Sequence, residues 1–179
     1  MTVMQAIYGR RSVRDYRPEP VDRASVQALL DAAVQAPTAM HREPWVFAVV
    51  QDQETLKRIS DRAKEALPAS LIDRFAGPTF NIFYNAGTLV VIGSREEGQF
   101  VTADCWLAAQ NLMLAAHAFG FGSCCIGLAL GALNNEDTRR EIGLPADVTA
   151  IAAIILGRPA SVPPPVGRKA PEVLSWCSR

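Results

Sequence analysis

The apolar positions of this chain change their period several times, and each change marks a boundary. Thr2 followed by Gln5 has the spacing of a capping box, and Val3, Met4 and Ile7 add a short helical stripe that stops at Gly9. Pro18 and Pro20 break the chain. Asp22 then caps a second helix in which Val26, Leu29, Leu30 and Ala33 recur at helical spacing until Pro37. Residues 45–50 form an apolar, β-branched run that predicts a buried strand, and Asp52 caps a third helix carrying Leu56, Ile59 and Ala63. Residues 88–92, between Gly87 and Gly93, predict another buried strand.

Residues 102–119 contain no glycine or proline and predict a long helix of roughly 25 Å. Its apolar side chains, Trp106 and Leu107 among them, lie nearly all round, so it needs cover on most faces, and a second copy of the chain is one plausible cover. Gly120 and Gly122 end it, and a small-residue apolar segment follows over 123–130. Asn134 or Asn135 caps a short helix ending near Ile142, and residues 148–156 predict the strongest strand. Beyond Gly157, Pro159, Pro163, Pro164 and Pro165 dictate an extended arm that cannot pair as a central strand. Val173, Leu174 and Trp176 near its end call for an apolar surface, which a partner chain could provide.

Strands and helices are thus mixed, with neither a G-x-G-x-x-G dinucleotide turn nor a phosphate-binding GxxxxGK[ST] loop, and the expected class is α+β. With 179 residues, a single domain is expected over 1–179, its last part, 158–179, being the arm. The formal net charge of zero argues against a nucleic-acid binder. No apolar run suits a secretory signal or a membrane span, which points to the cytoplasm. Cys105, Cys124, Cys125 and Cys177 lack zinc-site or disulfide-scaffold spacing and read as reduced thiols, mostly packing, and no metal is expected.

Against that neutral background, Arg10, Arg11, Arg14 and Arg17 fall within eight residues, with Ser12 among them. Guanidinium forks match phosphate oxygens two at a time, and a serine hydroxyl adds a further donor. The cluster is therefore an anion site or a solvated basic face, and composition alone does not decide.

Three segments together carry a resemblance: "RRSVRDY" after the first helix, "APTAMHREPW" after the second, and "AAQNLMLAAHAFGFGSCCIG" followed by a late "GRPA". In this order and spacing they resemble the FMN-dependent nitroreductase family over nearly the whole chain, from about residue 4 to 176. The resemblance implies a mainly antiparallel sheet flanked by helices, a long helix in the core and dimer interface, and an arm reaching the partner subunit. It implies FMN as cofactor, with Arg10 and Ser12 on its phosphate, joined by Arg168 from "VGRKAP", and Arg14 at the pyrimidine edge of the ring. Pro37, Thr38 and Ala39 would line the flavin of the neighbouring subunit. Gly127 would give its backbone N–H to the flavin N5, beside Cys124, Cys125 and Ile126.

Some positions stay open. Alternation in an extended segment turns Arg11 away from Arg10 and Ser12, toward ribityl or backbone groups or a structural ion pair. His41 and Glu43 stand where the family often has asparagine and glutamine; His41 could donate one hydrogen bond to the flavin or play a structural part. Cys124 and Cys125 suit packing better than thiol redox chemistry. Asp104 and Asn111, seven apart on the long helix, share a face and read as a buried hydrogen-bonded pair. The region around 67–85 is the least family-like and would shape a pocket lid. The implied activity is a homodimeric oxidoreductase that takes electrons from NADH or NADPH and gives them to a nitro compound or quinone by a ping-pong cycle. Dehalogenation, oxidative or flavin-fragmenting chemistry on the same scaffold, and a non-catalytic polyanion- or flavin-binding module, are the alternatives.

Overall fold

The structure, a computed structural model, describes residues 1–67, 75, 77 and 80–178. Helix α1 (Val3–Gly9) opens on its capping box: Gln5 N–H donates to Thr2 Oγ1, and Thr2 N–H to Gln5 Oε1. Helices α2 (Arg23–Ala33) and α3 (Gln53–Glu65) start where Asp22 and Asp52 accept from the backbone N–H groups of Ser25 and Thr55.

Strands β1 (Trp45–Val50), β2 (Thr88–Ser94), β3 (Gly122–Cys125) and β4 (Thr149–Gly157) form one antiparallel sheet in the order β1-β2-β4-β3. Leu89, Val91, Ala153 and Ile155 share a core with Leu56 and Ile59 of α3. Val90, Ile92, Ala152, Ile154 and Leu156 share a second with α2 and the long helix α4 (Gln99–Ala118). Being covered on both faces, β2 and β4 read as unbroken apolar runs instead of alternating ones. β2 also passes through Gly93, which was expected to bound it. The register shifts there, and a Cβ on Gly93 would lie 2.6 Å from Thr149 O, so the strand crosses this point only as glycine.

α4 begins at Gln99 rather than residue 102, released by Gly98 at φ 130°. Its buried residues, including Cys105, Ala108, Leu112 and Ala116, face the sheet and α2, while Phe100, Trp106 and Leu107 keep 64%, 38% and 43% of their surface exposed. Two short helices, α5 (Leu130–Leu133) and α6 (Glu136–Glu141), precede β4. Asn135 caps α6, and Asn134 instead braces Ala150 with its amide in both directions. The arm beyond β4 has no regular structure up to residue 178 apart from a bridge at Pro159; Val173, Leu174 and Trp176 on it are exposed.

The segment after α1 is bonded by its backbone to the sheet and to the root of the arm. Val13 N–H donates to Ser123 O at 3.1 Å, Arg17 N–H to Arg158 O at 3.0 Å, and Ala160 N–H to Asp15 O at 2.9 Å. It thus lies between β3 and the root of the arm, and its Ser12–Ser123 bridge is the only parallel pairing among the described residues. Val13 and Tyr16 are buried beneath it on two glycines. A Cβ on Gly122 would lie 2.9 Å from Val13 Cβ and 3.0 Å from Tyr16 Cε1, and one on Gly157 would lie 2.9 Å from Tyr16 Cδ1. Gly122→Ala should therefore lift the segment and cost about 1–3 kcal/mol in urea unfolding. Gly131→Ala, whose Cβ meets nothing within 4 Å, should cost less than about 0.5 kcal/mol. Equal effects would contradict the close seating.

Candidate functional site

With Val13 held inward by β3, its neighbour Arg14 is exposed, while half-buried Ser12 reaches the thiol of Cys124. Three hollows open along this edge. One, of about 270 Å³, is lined by Arg10, Arg11, His117, Phe121, Ser123 and Pro159, among others. A second, of about 280 Å³, brings Arg168 of the arm to Arg10 and Arg11, with Tyr8 and Val166 beside them. The third, of about 360 Å³, is lined by Arg14, Cys125, Ile126 and Leu128, with Phe80, Ile82 and Tyr84 opposite. Phe80 and Tyr84 meet edge to face, ring centroids 5.6 Å apart. The lid expected around 67–85 lies partly outside the described residues; of those described, Phe75, Phe80, Ile82 and Tyr84 line this hollow.

Among the described residues, Arg10, Arg14 and Arg168 take part in no ion pair; every pair lies elsewhere, as in Arg58 and Arg62 with Glu141. Three cations without a counter-charge thus lie along one edge, and their positive charge is uncompensated within the chain. Arg11 behaves differently. Its Nη1 donates to Tyr8 O at 2.6 Å and to Arg10 O at 2.9 Å, closing the C-terminus of α1. Of the options open from sequence, it takes the backbone one. Arg17 is exposed and unpaired.

Gly127 opens a 3-10 turn (Gly127–Ala129) directly after Ile126. Its N–H has no partner among the described residues, and a Cβ there would meet nothing within 4 Å, so the space beside its Cα is open. The adjacent thiols are inert by environment. Burial pushes both Cys124 and Cys125 above the ordinary thiol range, with Arg14 opposing at Cys124 and Cys124 itself adding at Cys125. Burial, helped by Asp104, pushes Cys105 up to about 11. Sequence reasoning passed over Ser123, His117 and Phe121. Ser123 Oγ is buried without a partner, and His117, in the last turn of α4, packs its ring on Gly9 just before Arg10. The glycine beside the arginines was the available signal; what it approaches is set by long-range packing.

Pro37, Thr38, Ala39 and His41 line none of these hollows. They form a tight loop in which Met40, His41 and Glu43 all have positive φ, 57°, 53° and 48°, a conformation costly for side chains of this size. The buried Asp104 carboxylate holds the loop by accepting from Ala39 N–H at 3.1 and 3.3 Å. Asn111 donates to Ala32 O at 3.4 Å. The expected Asp104–Asn111 pair does not exist, because two turns of helix separate them by about 10 Å. Each instead ties α4 to a backbone group of α2 or the loop after it.

Residues 7–158 match the model of the nitroreductase family. A protein of Methanothermobacter thermautotrophicus, provisionally named NADH dehydrogenase/NAD(P)H nitroreductase, is 32% identical over 91% of this chain and 80% of its own. A nitroreductase of Bacteroides fragilis solved with bound FMN superposes with a TM-score of 0.86 at 27% identity, covering 97% of both chains. An FMN-dependent nitroreductase of Clostridium difficile superposes at 0.80 with 25% identity, covering 96% of this chain and 99% of its own.

Two outcomes follow from the local geometry. In the folded protein at pH 7.5, iodoacetamide followed by mass spectrometry should label exposed Cys177 and spare Cys105, Cys124 and Cys125 until denaturant is added. Asp104→Ala should cost about 1–3 kcal/mol in unfolding free energy, since it leaves Ala39 N–H unpaired at the start of a strained loop.

Proposed function

The chain is an enzyme of the nitroreductase family, and on that premise we propose that it is an FMN-dependent oxidoreductase that takes electrons from NADH or NADPH and passes them to a nitro compound, quinone or similar small acceptor. The observation that carries the reading is the row of uncompensated cations, Arg10, Arg14 and Arg168, along an edge that also offers the unpartnered N–H of Gly127. A phosphate monoester with nearly two negative charges needs several donors at one end, and a planar ring needs a cation and an open amide at the other. Ser123 Oγ, buried and unpartnered at the phosphate end, fits the same group.

In this reading Arg10, Ser12 and Arg168 hold the phosphate and fix the register of the cofactor on β3. Arg14 sits at the pyrimidine edge, where a positive charge favours electron uptake. Gly127 donates to N5, and Cys124, Cys125 and Ile126 form the wall beside the ring. Bound FMN supplies the redox chemistry, accepting electrons from the nicotinamide and releasing them to the acceptor. The protein then needs no nucleophile of its own, in keeping with thiols held protonated by burial. The hollow beside Arg14, walled by Phe80, Ile82 and Tyr84, offers aromatic faces to a flat molecule and a cation to its polar groups.

The active species in this proposal is a homodimer. Supporting it are Val3, Met4, Ile7 and Tyr8 on α1, Phe100, Trp106 and Leu107 on α4, and Val173, Leu174 and Trp176 on the arm, all exposed. Pro37, Thr38, Ala39 and His41, remote from the hollows of their own chain, would serve the partner's flavin.

The purified protein should be yellow, and anaerobic NADH or NADPH should bleach its flavin spectrum; a loaded protein reduced by neither would point to another flavin reaction. Arg10→Ala and Arg168→Ala should weaken FMN binding about tenfold to a hundredfold in fluorescence titration, whereas Arg17→Ala should leave it within about twofold. Light scattering should give twice the 19.4 kDa chain mass, and Leu107→Glu should shift it toward the monomer.

A further inference from the structure

The hollow lined by Arg10, Arg11 and Ser123 also holds a group that the assignments above do not use. His117 projects from the last turn of α4 into it, and Gly9 has no side chain because the imidazole occupies that place: a Cβ on Gly9 would lie 2.5 Å from His117 Nε2. Neither ring nitrogen has a hydrogen-bond partner among the described residues. The second unsatisfied group is Ser123 Oγ, buried to 1% exposure on the opposing strand. The charged groups facing the ring are Arg10 and Arg11 after α1; Arg158 lies over the ring of Phe121 on the same wall. No carboxylate lines the hollow. An imidazole and a hydroxyl, both unpartnered, beside two guanidinium groups and no acid, form the donor set of a phosphate-sized anion.

We propose that His117 binds the phosphate end of the cofactor together with Arg10 and Ser123, as a donor whose contribution depends on its own protonation. The proposal rests on the FMN reading. With no anion present, burial and then the charges of Arg10 and Arg11 hold His117 below its ordinary range, so at neutral pH it is uncharged. A phosphate dianion compensates both arginines and attracts a proton to the ring, so binding takes up a proton from solvent. The sign follows. The histidine's contribution is complete below the pKa of the free site and is lost as pH rises through the higher pKa of the bound site. The phosphate's own titration near pH 6 works the other way, weakening binding on acidification; it is common to wild type and variant and cancels between them.

The chain has only two histidines, His41 and His117, so their ring proton signals are separable by NMR, with His117→Gln making the assignment. The probes are FMN, riboflavin and inorganic phosphate, added to the flavin-free full chain. The expected result is a titration midpoint of His117 moved upward by FMN and by inorganic phosphate and left in place by riboflavin. His41 is not expected to follow this pattern. In parallel, His117→Gln should weaken FMN binding about tenfold at pH 6 and about twofold or less at pH 8.5. A His117 midpoint unmoved in protein carrying one FMN per chain overturns the proposal while leaving the FMN reading intact. Protein that binds no FMN overturns that reading, and the phosphate arm then decides on the anion site alone: an upward shift supports it and no shift overturns it. A His117→Gln penalty equal at both pH values shows mere packing and also overturns it.

Discussion

Val13 and Tyr16, seated against Gly122 and Gly157, are the contact on which the rest of the site depends. It lets a bare stretch of chain lie flat on β3 and against the root of the arm, with backbone hydrogen bonds at Val13, Arg17 and Ala160 fixing its register. Once that register is set, the remainder follows: Val13 and Tyr16 go under, Arg14 goes out, and Arg11 folds back onto α1. The same contact brings the two ends of the chain together, so that Arg168 can share a hollow with Arg10.

The proposed anion site needs no strongly basic chain, because its charge is local. The protein is formally neutral, and Arg42, Arg58, Arg62, Arg95 and Arg140 pair with Glu96, Glu141, Asp147, Glu136 and Asp137. Arg10, Arg14 and Arg168 take part in no such pair among the described residues, and the unsatisfied Ser123 Oγ belongs to a residue that shares a hollow with Arg10. Unpaired cations next to a buried, unpartnered hydroxyl are unfavourable in isolation and become favourable when an anion arrives. The loop at residues 37–43 is held in a similar way: strained φ values at Met40, His41 and Glu43 persist because the buried Asp104 over-determines the start of the turn.

Much of the fold could be read from sequence, because its signals are local. The capping residues Thr2, Asp22, Asp52 and Asn135 mark the helix starts that the structure shows, and the apolar runs mark all three long strands to within two residues. β3 was hidden, since Gly-Ser-Cys-Cys has no strand propensity and becomes a strand only by pairing with β4. The start of α4 was misplaced because Gly98, not a capping side chain, sets it. Arg10, Ser12, Arg14, Arg168 and Gly127 were singled out through a family resemblance, and the structure brings Arg10, Arg14, Arg168 and Ile126 to one edge. His117 and Ser123 were not found: a histidine at a helix end and a serine among small residues carry no local sign of an anion, and only the packing of α4 on α1 makes their surroundings cationic.

The account stands on the claim that this edge is built for a phosphate attached to a flavin. The direct measurement is a titration of the flavin-free protein with FMN and with riboflavin, which differ only in that group, at low and moderate salt. Two or more charge-assisted hydrogen bonds to the phosphate predict FMN binding about a hundredfold or more tighter than riboflavin, with the gap narrowing as salt rises. Equal affinities for the two, or a gap indifferent to salt, would contradict it.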